Sequence, residues 1–372
     1  MESTGGSGGS LHATPREVLA NGEPKQRLPE AAHESWRKAE QFLALSDEEL
    51  SQVDPVVMNL VVAKGIPALA GLDISQYVRL ADEWAADLRA QMLAKERQFY
   101  CTPQQWDNDI DIFRLGLVAW YCDVVLGVAY REDQRDQILA ERKLPPEMRT
   151  GFLYTDPTDL FINGVMDTRR GTCGNMALLY VVLGRRVGLP VYLSCAWAHR
   201  FCRFDNGHKT INIETTTTGK GAFSLPSDED ILAEENLPPI AKECGSDLRG
   251  LAQREMLAMF LESRGRHFDD TRRRDQAERD YLLARYLFPQ HRRLYVSQIQ
   301  LSVWGSMGLF NPDEKWHIVG LNKWLQQVIR DAPWEREQNG EHIKNVSKPE
   351  EKTNGHCVDA VFQQIIVGGS FP

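Results

Sequence analysis

The sequence predicts an α+β fold in which a helix that carries a cysteine packs on a small antiparallel sheet. From Asn175 to Val187, apolar residues recur at three- and four-residue spacing, which is typical of a helix with one buried face. After Pro190 a buried strand and an alternating strand lead into Asp205-Asn206-Gly207, a hairpin signal. Helical patterns before and after this centre predict mainly helical N-terminal and C-terminal regions.

The first 150 residues divide into a polar arm and a helical region. Residues 1–30 are polar and include a Gly/Ser-rich run, which predicts a disordered arm. Residues 31–150 predict helices, with a capping box at Ser46–Glu49 and an N-cap at Asp54 ahead of Pro55. The helical patterns cover residues 35–45, 56–64, 74–98 and 103–150, the last of which holds two or three helices.

Composition excludes several classes of protein. A net charge of −9 disfavours general nucleic-acid binding. The longest apolar stretch, residues 115–130, is broken by Asp123, so it predicts a buried core helix and not a membrane span. Seven cysteines, an odd number without paired spacing, and the lack of a signal peptide predict a reducing, cytoplasmic location.

Cys173 is the strongest candidate for a reactive residue. It lies in Arg169–Gly174, where a loop gives way to the apolar helix, and Thr172 can act as the N-cap. The free N–H groups and the positive end of the helix dipole favour a thiolate over a thiol there, and two arginines add positive charge. The sequence therefore predicts Cys173 as a thiolate nucleophile.

His199 and Glu214 supply the other two parts of a predicted catalytic set. His199 begins the alternating strand, and Glu214 ends the return strand that starts at Thr210. The hairpin between them can bring both side chains together, where the carboxylate would orient the imidazole. From the sequence alone, Glu214 could instead form an ion pair with Lys209, Arg200 or Arg203.

Asn163 is a weaker candidate, ten residues ahead of Cys173. Its side-chain N–H could donate to an oxyanion, but it could equally form a loop turn beside Gly164. The backbone N–H of Cys173 is the other candidate donor.

A zinc site is a competing interpretation, because Cys195, His199, Cys202 and His208 are close in the sequence. Their spacing is not that of a zinc finger, and on one strand His199 and Cys202 would face opposite sides. We therefore expect no metal site. The remaining cysteines are expected to be structural, and they are Cys101, Cys122, Cys195, Cys202, Cys244 and Cys357.

The central segment resembles the transglutaminase-like superfamily. Residues 170–177, followed by the apolar helix and Gly188-Leu189-Pro190, are similar to the Cys segment of that family, and His199-Arg200-Phe201 to its His strand. Residues 212–215 fall where the family has an Asp followed by Thr, although here the acid is Glu214. The helical lead-in and tail are more similar to the bacterial SirB-like branch. The resemblance implies a transglutaminase-like, papain-like core over 151–250.

Beyond this core the pattern becomes helical again. Residues 251–330 predict a TPR-like (tetratricopeptide) region, with helices over 256–265 and 270–288 that dock on the core and could bind a protein partner. Residues 331–372 predict a flexible tail, in which 358–367 could form a terminal strand or helix. The loop 215–226 is a candidate flap beside the site.

Together these features predict cysteine-dependent acyl transfer on amide or peptide bonds of a protein or peptide substrate. Hydrolysis by a peptidase or amidase is favoured over cross-linking, because no second amine subsite and no calcium loop is recognisable. The chemistry needs no cofactor, and neither a nucleic acid nor a membrane is expected as a partner. The alternative is a catalytically inactive scaffold or protein-interaction module.

Overall fold

The computed structural model describes residues 38–142, 152–197, 199–216, 223–235 and 237–295. The eleven α-helices of these residues are α1 Asp47–Ser51, α2 Pro55–Ala63, α3 Ile74–Cys101, α4 Ile110–Trp120, α5 Glu132–Arg142, α6 Ile162–Thr168, α7 Cys173–Arg186, α8 Asp228–Glu234, α9 Ile240–Glu243, α10 Gln253–Asp270 and α11 Arg274–Leu287. The strands are β1 Ala129–Tyr130, β2 Arg170–Gly171, β3 Val191–Ala196, β4 His199–Asp205 and β5 Thr210–Ile213. Helices and two small sheets make this an α+β fold, as predicted.

The predicted arm over 1–30 and the predicted tail over 331–372 lie outside the described residues, as do 217–222 of the candidate flap. The boundaries between the predicted regions stay predictions.

The larger sheet consists of the predicted hairpin and the buried strand that was predicted before it. Strands β3, β4 and β5 are antiparallel in that order, with Ala196 opposite His199 and Cys202 opposite Ile213. Gly207 turns the β4–β5 hairpin with a φ of 81°, a conformation that glycine adopts without strain. The smaller sheet pairs β1 with β2 in parallel, just ahead of α7.

Helix α7 is buried on more than the one face that its sequence pattern predicts. Leu179 and Leu183, on the predicted apolar face, are fully buried, but so are Leu178, Val181 and Val182. The reason is that α7 packs against β3 and β4 on one side and against α2, α3 and α4 on others. A helix enclosed in this way tolerates apolar residues all round.

The N-terminal helices begin at the predicted caps and cover α7. Ser46 and Glu49 form the capping box, and the Asp54 carboxylate accepts the Val56 N–H at 2.8 Å. The prediction of one core helix over 115–130 is wrong beyond Trp120, since a π-helical turn follows at Tyr121–Val125 and leads to β1. Within the described parts of the chain, no helix combines the length and apolar character that crossing a bilayer requires.

Helices α10 and α11 form an antiparallel pair at the C-terminal end of the described chain. Thr271–Arg273 connects them, and a buried ion pair joins Arg264 to Asp280. Arg264 also donates to the Val62 carbonyl of α2, so the pair docks on the N-terminal helices. The pair agrees with the predicted helices, but its assignment as a TPR-like unit stays a prediction, and residues 296–330 lie outside the described residues.

Candidate active site

Cys173 is the first residue of α7 and is half-buried. Thr172 occupies the N-cap position as predicted, but its hydroxyl donates to the Asp159 carbonyl at 2.8 Å and does not cap the helix. Instead, the Asn175 carbonyl oxygen accepts the Thr172 N–H at 2.8 Å. The N–H groups of the first turn beside Cys173 are therefore left without a side-chain cap.

The Cys173 thiol is hydrogen-bonded to the imidazole of His199 and accepts the backbone N–H of Arg200. Burial acts to raise the pKa of Cys173, but these hydrogen bonds and the charge of His199 hold it below its usual value. Burial acts to lower the pKa of His199, yet its bonds to Cys173 and Glu214 raise it well above the usual value. Both directions favour a thiolate–imidazolium pair.

Glu214 holds the opposite side of the imidazole. Its Oε2 lies 2.6 Å from His199 Nε2, so the ring nitrogen left for the thiol is Nδ1. The other carboxylate oxygen accepts the N–H and the hydroxyl of Thr216 at 2.7 Å and 2.6 Å. Continuing the β4–β5 register places His199 and Glu214 diagonally on one face of the sheet. The glutamate is thus anchored at both oxygens despite its longer side chain.

The other partners that the sequence left open for Glu214 are paired elsewhere. Lys209 contacts Asp109 and Asp111, and these bonds dock the β4–β5 turn on the start of α4. Arg200 pairs with Glu262 of α10, while Arg203 pairs with Asp228 of α8 at 2.7 Å.

The weaker candidate, Asn163, is buried, and its role as an oxyanion donor stays a prediction. Asn163 lies in α6 with 2% of its surface exposed, and the oxygen of its side-chain amide has no hydrogen-bond partner among the described residues. It is not among the residues that line the cavity beside Cys173. The other candidate donors are the backbone N–H groups at the start of α7, of which Cys173 is the first residue.

The residues weighed as a zinc site do not converge. His199 is engaged by Cys173 and Glu214, the Cys202 thiol donates to the Ala177 carbonyl at 3.0 Å, and His208 is exposed in the hairpin turn.

Cys195 instead belongs to a second, fully buried group with Asp247 and His291. Their side-chain donor atoms all lie within 4.8 Å of one another, a spacing that could hold a metal ion. His291 Nδ1 lies 3.1 Å from the Ser246 carbonyl, however, so this nitrogen carries its proton and is not a ligand in this arrangement. Burial raises the pKa of the Cys195 thiol and lowers that of His291, which keeps both groups neutral.

This buried group supports the turn that leads into His199. The Asp247 carboxylate accepts the Trp197 N–H at 2.6 Å and the Ser246 hydroxyl at 2.5 Å. Trp197 has a φ of 51°, an uncommon conformation for a bulky residue, and it lies two positions before His199. Asp247 thus fixes the backbone ahead of the imidazole, a role for which the sequence offers no local signal.

A cavity of about 120 Å³ opens beside the sulfur. Two arginines and one glutamate contribute charge to its wall, and apolar and aromatic side chains contribute the rest. The lining residues are Tyr154, Leu160, Thr172, Cys173, Gly174, Trp197, Arg200, Met259, Glu262 and Arg293. Of these, Met259, Glu262 and Arg293 come from α10 and the segment after α11, and no local pattern in the sequence assigns them to the site.

The comparison with known proteins agrees with this geometry. Residues 150–261 match the family model of the transglutaminase-like superfamily, a range that holds Cys173, His199 and Glu214. No curated protein and no solved structure matches the chain. The SirB-like branch and the TPR-like assignment stay predictions. The match supports a transglutaminase-like superfamily domain over residues 150–261, and the thiol, imidazole and carboxylate that lie within it fit cysteine-based acyl transfer.

Proposed function

We propose that this protein is a cysteine peptidase or amidase that hydrolyses amide bonds of a protein or peptide substrate. The observation that carries the proposal is the hydrogen-bonded chain from the Cys173 thiol through the His199 imidazole to the Glu214 carboxylate. A nucleophile, a base and an orienting acid in contact are the parts that thiol-dependent acyl transfer needs.

In this mechanism the Cys173 thiolate attacks the carbonyl carbon and forms a C–S bond, while the carbonyl electron pair moves to oxygen. The first-turn N–H groups of α7, that of Cys173 foremost, stabilise this oxyanion. His199 then gives its Nδ1 proton to the leaving amine as the C–N bond breaks, which leaves an acyl-enzyme. Glu214 acts through His199, because its contact with Nε2 holds the ring and stabilises the imidazolium.

Water then attacks the acyl-enzyme, with His199 as the base, and releases the acid and the thiolate. The His199 side chain is 24% exposed, so water can reach the base that deacylation needs. The C–O bond forms as the C–S bond breaks, and the proton taken up by His199 restores the starting pair.

Alkylation with iodoacetamide tests the nucleophile, with each cysteine followed by peptide mass spectrometry. We expect Cys173 to react at pH 7 at least about tenfold faster than Cys101, an exposed thiol at the end of α3 that serves as the internal control. The Cys173→Ala variant should lose the fast phase. A rate at Cys173 no faster than at Cys101 would contradict the proposal.

The acceptor and the substrate require a second experiment. Wild-type protein that is mixed with cell lysate and rapidly stopped with acid should carry an acyl adduct on Cys173, because acid halts the deacylation that His199 catalyses, and the mass of the adduct identifies the substrate. Cys173→Ala protein treated in the same way is the matched control. The inactive-scaffold alternative instead expects ordinary thiol reactivity and no adduct. A partner-binding role for α10 and α11, and a cytoplasmic location, stay predictions.

A further inference from the structure

We propose that the hydroxyl of Tyr154 is a second oxyanion donor, a catalytic group that acts with the backbone N–H of Cys173 on the tetrahedral intermediate. This inference rests on the proposed function and adds a residue to its mechanism. Tyr154 lines the cavity beside Cys173, together with Thr172 and Gly174 from the start of α7. Because the volume of that cavity is about 120 Å³, a carbonyl group bound in it lies close to the groups of its wall.

The hydrogen bond that the Tyr154 side chain makes leaves its own proton available. The side-chain amide of Gln134 donates to the Tyr154 hydroxyl, with 3.3 Å between Nε2 and the oxygen. Gln134 belongs to α5 and is 2% exposed, so this donor is itself fixed by packing. A phenol oxygen that accepts one hydrogen bond can still donate its proton to another group.

Tyr154 keeps this proton at neutral pH. Burial raises the pKa of Tyr154, and the negative charge of the Cys173 thiolate raises it further, while Arg266 and Arg200 act in the opposite direction. The effect of the thiolate means that sulfur and hydroxyl lie within each other's electrostatic range. When the thiolate attacks, its negative charge moves to the carbonyl oxygen, where a neutral O–H donor can stabilise it.

Tyr154 is also held in place before any substrate binds, as an oxyanion donor must be. Its backbone N–H donates to the Asp270 carboxylate at 2.8 Å, and its carbonyl accepts the Nδ1 proton of His267 at 3.0 Å. The Arg266 guanidinium lies 6.0 Å from the centre of its ring. All three contacts come from the C-terminal end of α10, so the backbone and the ring are fixed by the same element.

Two other polar side chains of the cavity use protons within the protein. The Thr172 hydroxyl donates to the Asp159 carbonyl at 2.8 Å, and the Arg200 guanidinium is bonded to Glu262. Tyr154 differs from both, because its oxygen is an acceptor in the bond that orients it. We therefore assign the side-chain donation to Tyr154.

The step that Tyr154 assists transfers no proton to or from the phenol. As the C–S bond forms, the carbonyl electron pair moves to oxygen, and the Tyr154 O–H donates a hydrogen bond to that oxygen. When the electron pair returns and the leaving group departs, the hydrogen bond weakens again.

Two reagents separate stabilisation of an oxyanion from reactivity of the thiolate. p-Nitrophenyl acetate acylates the sulfur through a tetrahedral oxyanion, and nitrophenolate leaves as the C–O bond breaks. Iodoacetamide alkylates the same sulfur by displacement of iodide, and no oxyanion forms. We expect Tyr154→Phe to lower the acylation rate roughly ten- to hundredfold and to leave the iodoacetamide rate at Cys173 within about twofold of wild type. Acylation is measured as nitrophenolate release above that of Cys173→Ala.

A matched control removes a hydroxyl elsewhere. Tyr286→Phe, on a side chain of α11 that is 66% exposed, should change neither rate. A ring-fluorinated tyrosine in place of Tyr154 keeps the shape of the side chain and is a stronger donor, so it should raise the acylation rate alone.

Equal losses of both rates in folded Tyr154→Phe, or no loss of acylation, would overturn the assignment. If Tyr154→Phe does not fold, an acylation rate that the fluorinated tyrosine leaves unchanged would overturn it instead. Slow iodoacetamide labelling of the wild-type protein would contradict the proposed nucleophile, so the two proposals fail separately.

Discussion

At the scale of single residues, the proposed chemistry depends on the hydrogen bond between Cys173 and His199. It lowers the pKa of the thiol and raises that of the imidazole, although burial opposes both changes. Each member of the pair is also held from outside, the sulfur by the Arg200 N–H and the ring by Glu214. A buried ion pair of this kind depends on every one of its hydrogen bonds.

The pH dependence of alkylation follows from these directions. Because the pKa of Cys173 lies below the usual range, its rate with iodoacetamide should rise at lower pH than that of a cysteine in an unstructured peptide. Glu214→Gln removes the negative charge beside the imidazolium, which lowers the pKa of His199 and lets the pKa of Cys173 move back up. The rise at Cys173 should therefore shift to higher pH.

Rates measured by mass spectrometry from pH 4 to 10 would check this shift. Glu229→Gln, an exposed change on α8, is the matched control and should not move the profile. Identical profiles for wild type and Glu214→Gln would show that Glu214 has no part in the ion pair.

At the scale of elements, α7 combines a reactive end with an enclosed body. Its first turn opens on the cavity, whereas the rest packs between the sheet and the N-terminal helices. Asn175 secures the junction, because its carbonyl oxygen accepts the Thr172 N–H and its amide donates to the Thr158 and Phe161 carbonyls. The position of the sulfur is thus set by a buried helix and not by a loop.

Because α7 is enclosed, we expect substitutions on two of its faces to lower the free energy of unfolding by similar amounts. Leu178→Ala and Leu179→Ala should each lower the free energy of unfolding by about 2–5 kcal/mol, since both side chains are at most 1% exposed. Leu282→Ala on α11, where the side chain is 45% exposed, should change it by less than about 0.5 kcal/mol. Urea unfolding followed by circular dichroism measures all three. A Leu178→Ala value close to that of Leu282→Ala would mean that only the predicted face is packed.

At the scale of the whole molecule, buried ion pairs join segments that are far apart in sequence. Arg186 at the end of α7 reaches Asp54 at 2.7 Å and Asp82 at 2.8 Å in the N-terminal region. Arg264 of α10 forms two bonds to Asp280 of α11, at 2.7 Å and 2.6 Å. Through the carbonyl of Val62, the second pair also ties the C-terminal helices to α2.

Removing one partner of the Arg264–Asp280 pair should be more damaging than removing both. Arg264→Met leaves the Asp280 carboxylate buried without its main partner and should lower the free energy of unfolding by about 3–5 kcal/mol. The double variant Arg264→Met/Asp280→Leu should recover at least about 1 kcal/mol of that loss. Urea unfolding of Arg264→Met, Asp280→Leu and the double variant measures the coupling energy between the two side chains. Purely additive losses of stability would argue against such a coupling.

Much of the fold and part of the candidate site were predictable because their signals are local. The caps at Ser46 and Asp54, the hairpin at residues 205–207 and the start of α7 each depend on neighbours within a few residues. The pairing of His199 with Glu214 was also within reach, since one short hairpin joins them.

Contacts between distant segments could not be predicted from the sequence. The sequence around Asp247 does not indicate that this residue supports the turn before His199. Likewise, the sequence around Glu262 and Arg293 does not indicate that they line the cavity. Local periodicity likewise could not show that Leu178 is covered. The sequence by itself determined the order of the thiol, the imidazole and the carboxylate and the elements that carry them, because those follow from local geometry. Only the tertiary structure decided the charge and walls around the sulfur, because α10 and the segment after α11 reach it through packing between distant parts of the chain.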